Sequence, residues 1–231
     1  MCGRFALGMP KKRLEELVGS SVPGEYSPSW NVAPGTRVPA QTSSGCSMFL
    51  WGLVPHWVKD SDAGNRIGMR LMNARSETVF DKPAFRKPVL RGRCLIPADA
   101  FYEWQRRGRA RYPHAIARAS GRPLWFAAVS DQWADPGTGK VLRSCCILTT
   151  RANRLMAPIH DRMPVIVREG HRDLWLDPSV TEPHWFEHVF EPLPPEELEL
   201  WPVSCGVNKV GYDGPELLER LAGRPRQGRL F

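Results

Sequence analysis

The sequence predicts an α+β fold: a mostly antiparallel, curled or barrel-like sheet of many short strands, with peripheral short helices. Three observations lead there. Apolar runs are numerous and short, and turn residues bound most of them, so strand patterns outnumber helical ones. The two clearest β runs, Leu124–Ser130 and Ser144–Thr150, flank the turn-rich Asp135-Pro-Gly-Thr-Gly139 and read as a hairpin with a long loop. No internal repeat and no linker divides the chain. Residues 1–231 therefore read as a single domain, with a core of about 2–213 and a helix and basic tail over 214–231.

Taken in order, Cys2–Leu7 is strand-like. Pro10 opens a short helix in which Leu14, Leu17 and Val18 share a face, and Gly19 ends it. Residues 20–37, rich in Ser, Pro and Gly, read as an extended loop carrying Trp30-Asn31-Val32-Ala33-Pro34. Ser47–Val54 is a strand closed by Pro55, with His56-Trp57 at its mouth. Lys59–Met69 is polar, contains glycine and reads as a mobile loop. Arg93–Pro97 is a buried strand, and Ala98–Trp104 a turn into another. Asn153–Ile159 forms one helical turn before His160–Pro164 opens the strand Val165–Val167. Short helices follow over Glu169–Leu176 and Glu182–Phe190, then a late strand over Leu198–Val203 and a helix over Pro215–Leu221.

Composition narrows the class. With 231 residues, 42% hydrophobic and 24% charged, the chain can bury a sizeable core, and no apolar run reaches the ~18 residues of a membrane span. Residues 1–20 carry Lys11-Lys12-Arg13 and do not read as a secretory leader, so a cytoplasmic protein is expected, nucleoid-associated if bacterial or nuclear if eukaryotic. Cys2, Cys46, Cys94, Cys145, Cys146 and Cys205 then read as reduced thiols. No C-x-x-C occurs, and a surface helix explains His184 and His188 better than a metal site, so no metal or cofactor is expected. The net charge of +8 favours a polyanionic partner, most simply nucleic acid. Between Arg86 and Arg111, eight Lys or Arg stand against two acids, although a solvated basic loop also accounts for Arg106-Arg107-Gly108-Arg109. Most tryptophans are core by default, but Trp51, Trp57 and Trp104 lie beside polar elements and are candidates for stacking on bases.

Cys2 carries the sharpest chemistry. If Met1 is removed, the chain begins with an α-amine beside a thiol, two nucleophiles that titrate at roughly 8 and 8.5 when unperturbed. Such an aminothiol condenses with an aldehyde to an imine and then closes a thiazolidine through sulfur. Three polar groups sit inside otherwise apolar segments: Asn73 in Leu-Met-Asn-Ala-Arg, Glu103 in Phe-Tyr-Glu-Trp and His160 in Pro-Ile-His-Asp-Arg-Met-Pro. A buried polar group needs a partner or a function, and these three supply an amide, a carboxylate and an imidazole.

The motifs Cys-Gly-Arg-Phe at 2–5, Trp-Asn-Val-Ala-Pro at 30–34, Trp-Gly-Leu-Val-Pro at 51–55, Asn-Ala-Arg-Ser-Glu-Thr at 73–78, Phe-Tyr-Glu-Trp at 101–104, Leu-Thr-Thr at 148–150 and His-Asp-Arg-Met-Pro at 160–164 occur in this order over nearly the whole chain. In these the sequence resembles the SRAP (SOS-response-associated peptidase) family, whose bacterial and human members crosslink to abasic sites in single-stranded DNA. The resemblance implies Cys2 as nucleophile, Asn73 and Glu103 holding the abasic sugar, and His160 assisting the crosslink. It further implies that Arg4, Arg75 and Arg162 hold phosphates, that Thr149 contacts DNA and that Arg86 belongs to the same surface. Ala100 stands where the resemblance leads one to expect glycine. The expected partner is single-stranded DNA containing abasic sites, bound by a monomer, with affinity falling steeply as salt rises. Two other readings fit the same residues: a thiol peptidase with Cys2 attacking an acyl carbon, and a non-covalent single-strand binding module.

Overall fold

The structure, a computed structural model, describes residues 2–221, the side chains of residues 62, 63, 65, 66 and 69 excepted. Twelve strands run in chain order: β1 Phe5–Leu7, β2 Ser29–Val32, β3 Arg37–Thr42, β4 Gly45–Trp51, β5 Asn73–Arg75, β6 Arg93–Ala98, β7 Ala100–Arg107, β8 Ala110–Arg118, β9 Leu124–Ala134, β10 Val141–Arg151, β11 Arg162–Pro164 and β12 Leu198–Pro202. Among the described residues five α-helices accompany them: α1 Lys11–Val18, α2 Ser61–Arg70, α3 Arg86–Arg91, α4 Arg172–Leu176 and α5 Glu187–Phe190. The α+β class holds. One sheet has the order β12-β8-β7-β1-β2, and the other runs β11-β10-β4-β3-β6-β9 with β5 added on β10. Because β9 also pairs with β10, strands β10, β4, β3, β6 and β9 close on themselves, which removes their free edges.

Continuous apolar runs form the barrel wall. All six residues of β6 and the first six of β9 are buried, as expected for strands covered on both faces. Phe5 on β1 lies 5.2 Å from Trp51 and 5.8 Å from Phe126 between ring centroids, so the first strand is packed onto the barrel by aromatic contact. Among the described residues, no helix is long and apolar enough to cross a membrane.

Several expectations are corrected. Residues 20–37 include β2, and residues 61–70 form α2 instead of a loop. The glycines of α2 serve close packing: a Cβ on Gly64 would sit 3.2 Å from the Trp133 ring, and one on Gly52 would lie 2.6 Å from the Gly68 carbonyl oxygen. The Arg106–Arg109 run is the tip of the β7–β8 hairpin, where Arg107 faces Ala110 and Gly108 takes φ 61°. The β9–β10 hairpin is confirmed, with strands longer and a connection shorter than expected. Pro215–Leu218 is a 3-10 turn, and the basic tail beyond residue 221 lies outside the described residues.

One buried cation locks the outer helices to the barrel. Arg93 on β6 donates from Nε to the Trp175 carbonyl (2.6 Å), from Nη1 to that of Val89 (2.7 Å), and from Nη2 to those of Asp177 and Val180. Its guanidinium also lies 4.7 Å from the Phe186 ring centroid. Thus one side chain satisfies carbonyls at the ends of α3 and α4 that have no helical partner. Replacing Arg93 by Met should leave those acceptors unpaired and cost roughly 3 kcal/mol. A thermal melt should then show Tm lowered by about 6–12 °C; an unchanged Tm would show that water replaces the guanidinium without loss.

Candidate active site

Two strand junctions bring the site together. β1 pairs with β7 with Phe5 opposite Phe101, and the Tyr102 amide donates to the Arg4 carbonyl at 2.9 Å. Continued by one pair, this register sets Glu103 level with Gly3, beside Cys2. Asn73 arrives from the barrel side: β5 runs parallel to β10 with Asn73 opposite Ile147. Its Nδ2 donates to the Cys2 carbonyl oxygen at 2.8 Å, fixing the backbone of the candidate nucleophile. The Asn73 Oδ1 is buried and has no hydrogen-bond partner among the described residues, so its acceptor capacity is open to a ligand.

Cys2 is fully covered, and its Sγ–H points to the Arg4 carbonyl oxygen at 3.8 Å. Burial pushes the thiol far above its ordinary range, and the nearby Glu103 charge pushes it further. It is a thiol, not a thiolate, at neutral pH. Glu103 is itself nearly buried, and loss of hydration raises its carboxyl's pKa, an effect that the His160 charge partly offsets. A carboxylate with a raised pKa is a better base than one in water.

His160 stands in the turn before β11. Its Nδ1 lies 2.9 Å from the Arg162 amide nitrogen and 2.8 Å from Asp161 Oδ1. These contacts need opposite tautomers, because accepting from the amide requires a bare nitrogen and donating to Asp161 requires a proton. Asp161 is 84% exposed, so its bond competes with water, and the amide contact decides. Neutral His160 then carries its proton on Nε2.

Arg75 on β5 lies opposite Thr149 on β10, which lies opposite Pro164 on β11. The Arg75 side chain is exposed, whereas Thr149 is buried and donates from Oγ1 to the Ala74 carbonyl at 3.3 Å. Arg162 forms a two-pronged pair with Glu77 at 2.6 and 2.8 Å and donates to the Thr149 carbonyl at 2.5 Å. Arg4 donates from Nη1 to Asn31 Oδ1 (2.8 Å) and the Val207 carbonyl (3.0 Å). Trp104 is partly buried and donates to Asn208 Oδ1 at 2.7 Å.

Not every expected residue joins this group. Trp51 is fully buried, donating from Nε1 to the Met72 carbonyl at 2.9 Å, so its ring is core and has no face left for a base. Arg86 is exposed at the start of α3, and none of the contacts above includes it. Two further residues emerge. Glu77 holds Arg162, and Asn31 ties Arg4 to the Lys209 and Tyr212 carbonyls. Both lie in the motifs Asn-Ala-Arg-Ser-Glu-Thr and Trp-Asn-Val-Ala-Pro, which were the available signal. All six cysteines are free, and among the described residues no group of three or more His, Cys, Asp or Glu could hold a metal ion.

Residues 1–210 match the family described as SOS response associated peptidase (SRAP). The chain is 39% identical over 227 residues to the abasic site processing protein YoqW of Bacillus subtilis, covering 95% of this chain and 99% of that one. It is 31% identical to the abasic site processing protein HMCES of Gallus gallus, covering 94% of this chain and 77% of the relative. A crystal structure of a protein from Bacteroides thetaiotaomicron superposes with a TM-score of 0.90 at 25% identity, covering 96% of this chain and all of the other.

Proposed function

The chain belongs to the SOS response associated peptidase family, and from that membership we propose that it processes abasic sites in single-stranded DNA by bonding to them through Cys2. One arrangement carries the reading. The Cys2 carbonyl is held by Asn73 while the charge of Glu103 acts on the Cys2 thiol and that of His160 acts on Glu103, so two expected groups bear on Cys2 and the third on one of them. The relatives named as abasic site processing proteins supply the substrate class.

Removal of Met1 turns the Cys2 amide nitrogen into a primary amine. Glu103 takes a proton from the ammonium form, and the freed amine adds to the aldehyde carbon of the ring-opened abasic sugar. His160 donates a proton to the departing oxygen, water leaves, and an imine remains. The Cys2 sulfur then bonds to the imine carbon while its proton passes to the nitrogen, closing the thiazolidine. The thiol needs no prior ionisation, because the electrophile is already activated. Closure protects the strand, since an imine left open permits β-elimination and strand cleavage as a side reaction. Asn73 Oδ1 accepts from a sugar hydroxyl. Arg4, Arg75 and Arg162 hold phosphates and Trp104 lines the strand's path, while the buried Thr149 serves through Arg162, which donates to its carbonyl. An unpaired strand without a base is the easiest substrate to seat, because no stacking has to be broken.

Intact-mass measurement of the purified protein, alone and after mixing with an abasic oligonucleotide, tests this directly. The expected masses are those of the chain without Met1, and of that chain plus the oligonucleotide less one water. A mature chain that keeps Met1, or a mixture without an added mass, would overturn the proposal.

A further inference from the structure

Glu103 has a titratable neighbour that takes no part in the chemistry at Cys2. In the β7–β8 ladder it stands directly opposite His114, so both side chains leave the same face of the sheet with their Cβ atoms about 5 Å apart. On that face the rung to one side, Phe101 opposite Ile116, is fully buried, and the rung to the other, Gln105 opposite Tyr112, is partly open. The Glu103–His114 rung, at 3% and 7% exposure, is the last dry step before solvent. Strand β12 covers the far flank: Pro202 lies opposite His114, and the Val203 amide donates to the Pro113 carbonyl at 3.1 Å.

The ring is fixed in orientation and in charge. Its Nδ1 lies 3.0 Å from the Tyr112 carbonyl oxygen, which can only accept, so Nδ1 carries the proton and Nε2 is bare in the neutral ring. Burial holds the imidazole below its ordinary range, the Tyr112 bond opposes that shift, and the Arg107 charge adds to it. His114 is thus an uncharged ring at neutral pH. The charges that bear on Glu103 come from other elements: His160 acts from the turn before β11, and Glu103 in turn acts on Cys2 ahead of β1. From β12 only the apolar Pro202 faces His114 across the ladder. A cation at position 114 would weaken the carboxylate as a base, and a small side chain would do the same by admitting water. A neutral ring does neither.

We infer that His114 is a positioning residue for Glu103: its uncharged ring, pinned across the β7–β8 ladder, keeps water off the carboxyl and so keeps Glu103 an effective base. The inference rests on the role proposed for Glu103 in adduct formation, whereas the pairing of the two side chains is independent of it.

The rate of adduct formation with a saturating abasic single strand, measured across pH, tests it. His114→Ala and His114→Ser admit water, so the acidic limb should move down toward the ordinary carboxylate range. The plateau should also fall about three- to tenfold, because a weaker base removes the amine proton. His114→Phe, dry and uncharged, should restore both most of the way. A residue that only held the fold would lower the rate at every pH without moving the limb. That result, or the parent's midpoint in both small variants, overturns the inference. The parent supplies a check that needs no variant: nitrogen NMR should show His114 as the neutral Nδ1–H tautomer throughout the range in which the rate falls, and a ring that gains a proton there overturns the inference as well. If the parent forms no adduct, the proposed function fails, and carbon NMR titration of the Glu103 carboxyl still decides the role of His114. A lower carboxyl midpoint in His114→Ala than in the parent supports it, and an unchanged one defeats it.

Discussion

Cys2→Ala protein incubated with an abasic single strand should give no band that survives boiling and denaturing electrophoresis, where the parent protein gives one. The loss should be complete, because the stable product needs a sulfur two carbons from the amine, as the five-membered ring requires. The amine itself survives the substitution, so the imine still forms. Borohydride should therefore trap a reduced adduct with Cys2→Ala, and without reductant strand cleavage should increase relative to the parent. No other cysteine carries an α-amine beside its thiol, so none can supply the ring-closing sulfur. Cys94, Cys145 and Cys146 are fully buried, with Cys94 pushed up to about 12. Cys46 is partly accessible, but burial raises it to about 11, leaving it a thiol at neutral pH. A heat-stable adduct from Cys2→Ala without reductant would assign the chemistry elsewhere.

The reasons some of this was legible in the sequence, and some not, lie in particular residues. Asn73 and Glu103 stood out because a polar side chain inside an apolar strand segment has to be satisfied or used, and that rule holds without coordinates. Trp51 shows its limit: an indole at a strand end looks the same whether it faces solvent or, as here, the ring of Phe5. The α2 segment was misread because Gly64 and Gly68 break helices on average, while here they let the helix approach Trp133 and Gly52. β8 was missed for a similar reason, since the basic residues at the hairpin tip hid the turn at Gly108. Glu77 and Asn31 act through partners 85 and 27 positions away, separations that no local pattern encodes.

Glu103→Gln should slow adduct formation by roughly 10²–10⁴-fold, the usual contribution of a positioned general base. Loss of a base and loss of fold are separable here, because pH moves them in opposite directions. Burial raises the Glu103 carboxyl above its ordinary range, so the working carboxylate is lost on acidification earlier than a carboxylate in water would be. The parent's rate at saturating DNA should therefore rise with pH through a midpoint above about 4.3, and Glu103→Gln should lack that limb. Stability runs the other way. A carboxyl whose pKa is higher folded than unfolded stabilises the fold in its protonated form, and that contribution is lost as pH rises through the folded value. Glutamine mimics the protonated form at every pH, so denaturant titrations at neutral pH should find Glu103→Gln at least as stable as the parent, with the difference vanishing below the ordinary carboxylate range. A slow variant that is also less stable at neutral pH would make Glu103 a structural anchor. A variant with the parent's rate would remove it from the mechanism and shift the proton transfers to another group, His160 being the first to test.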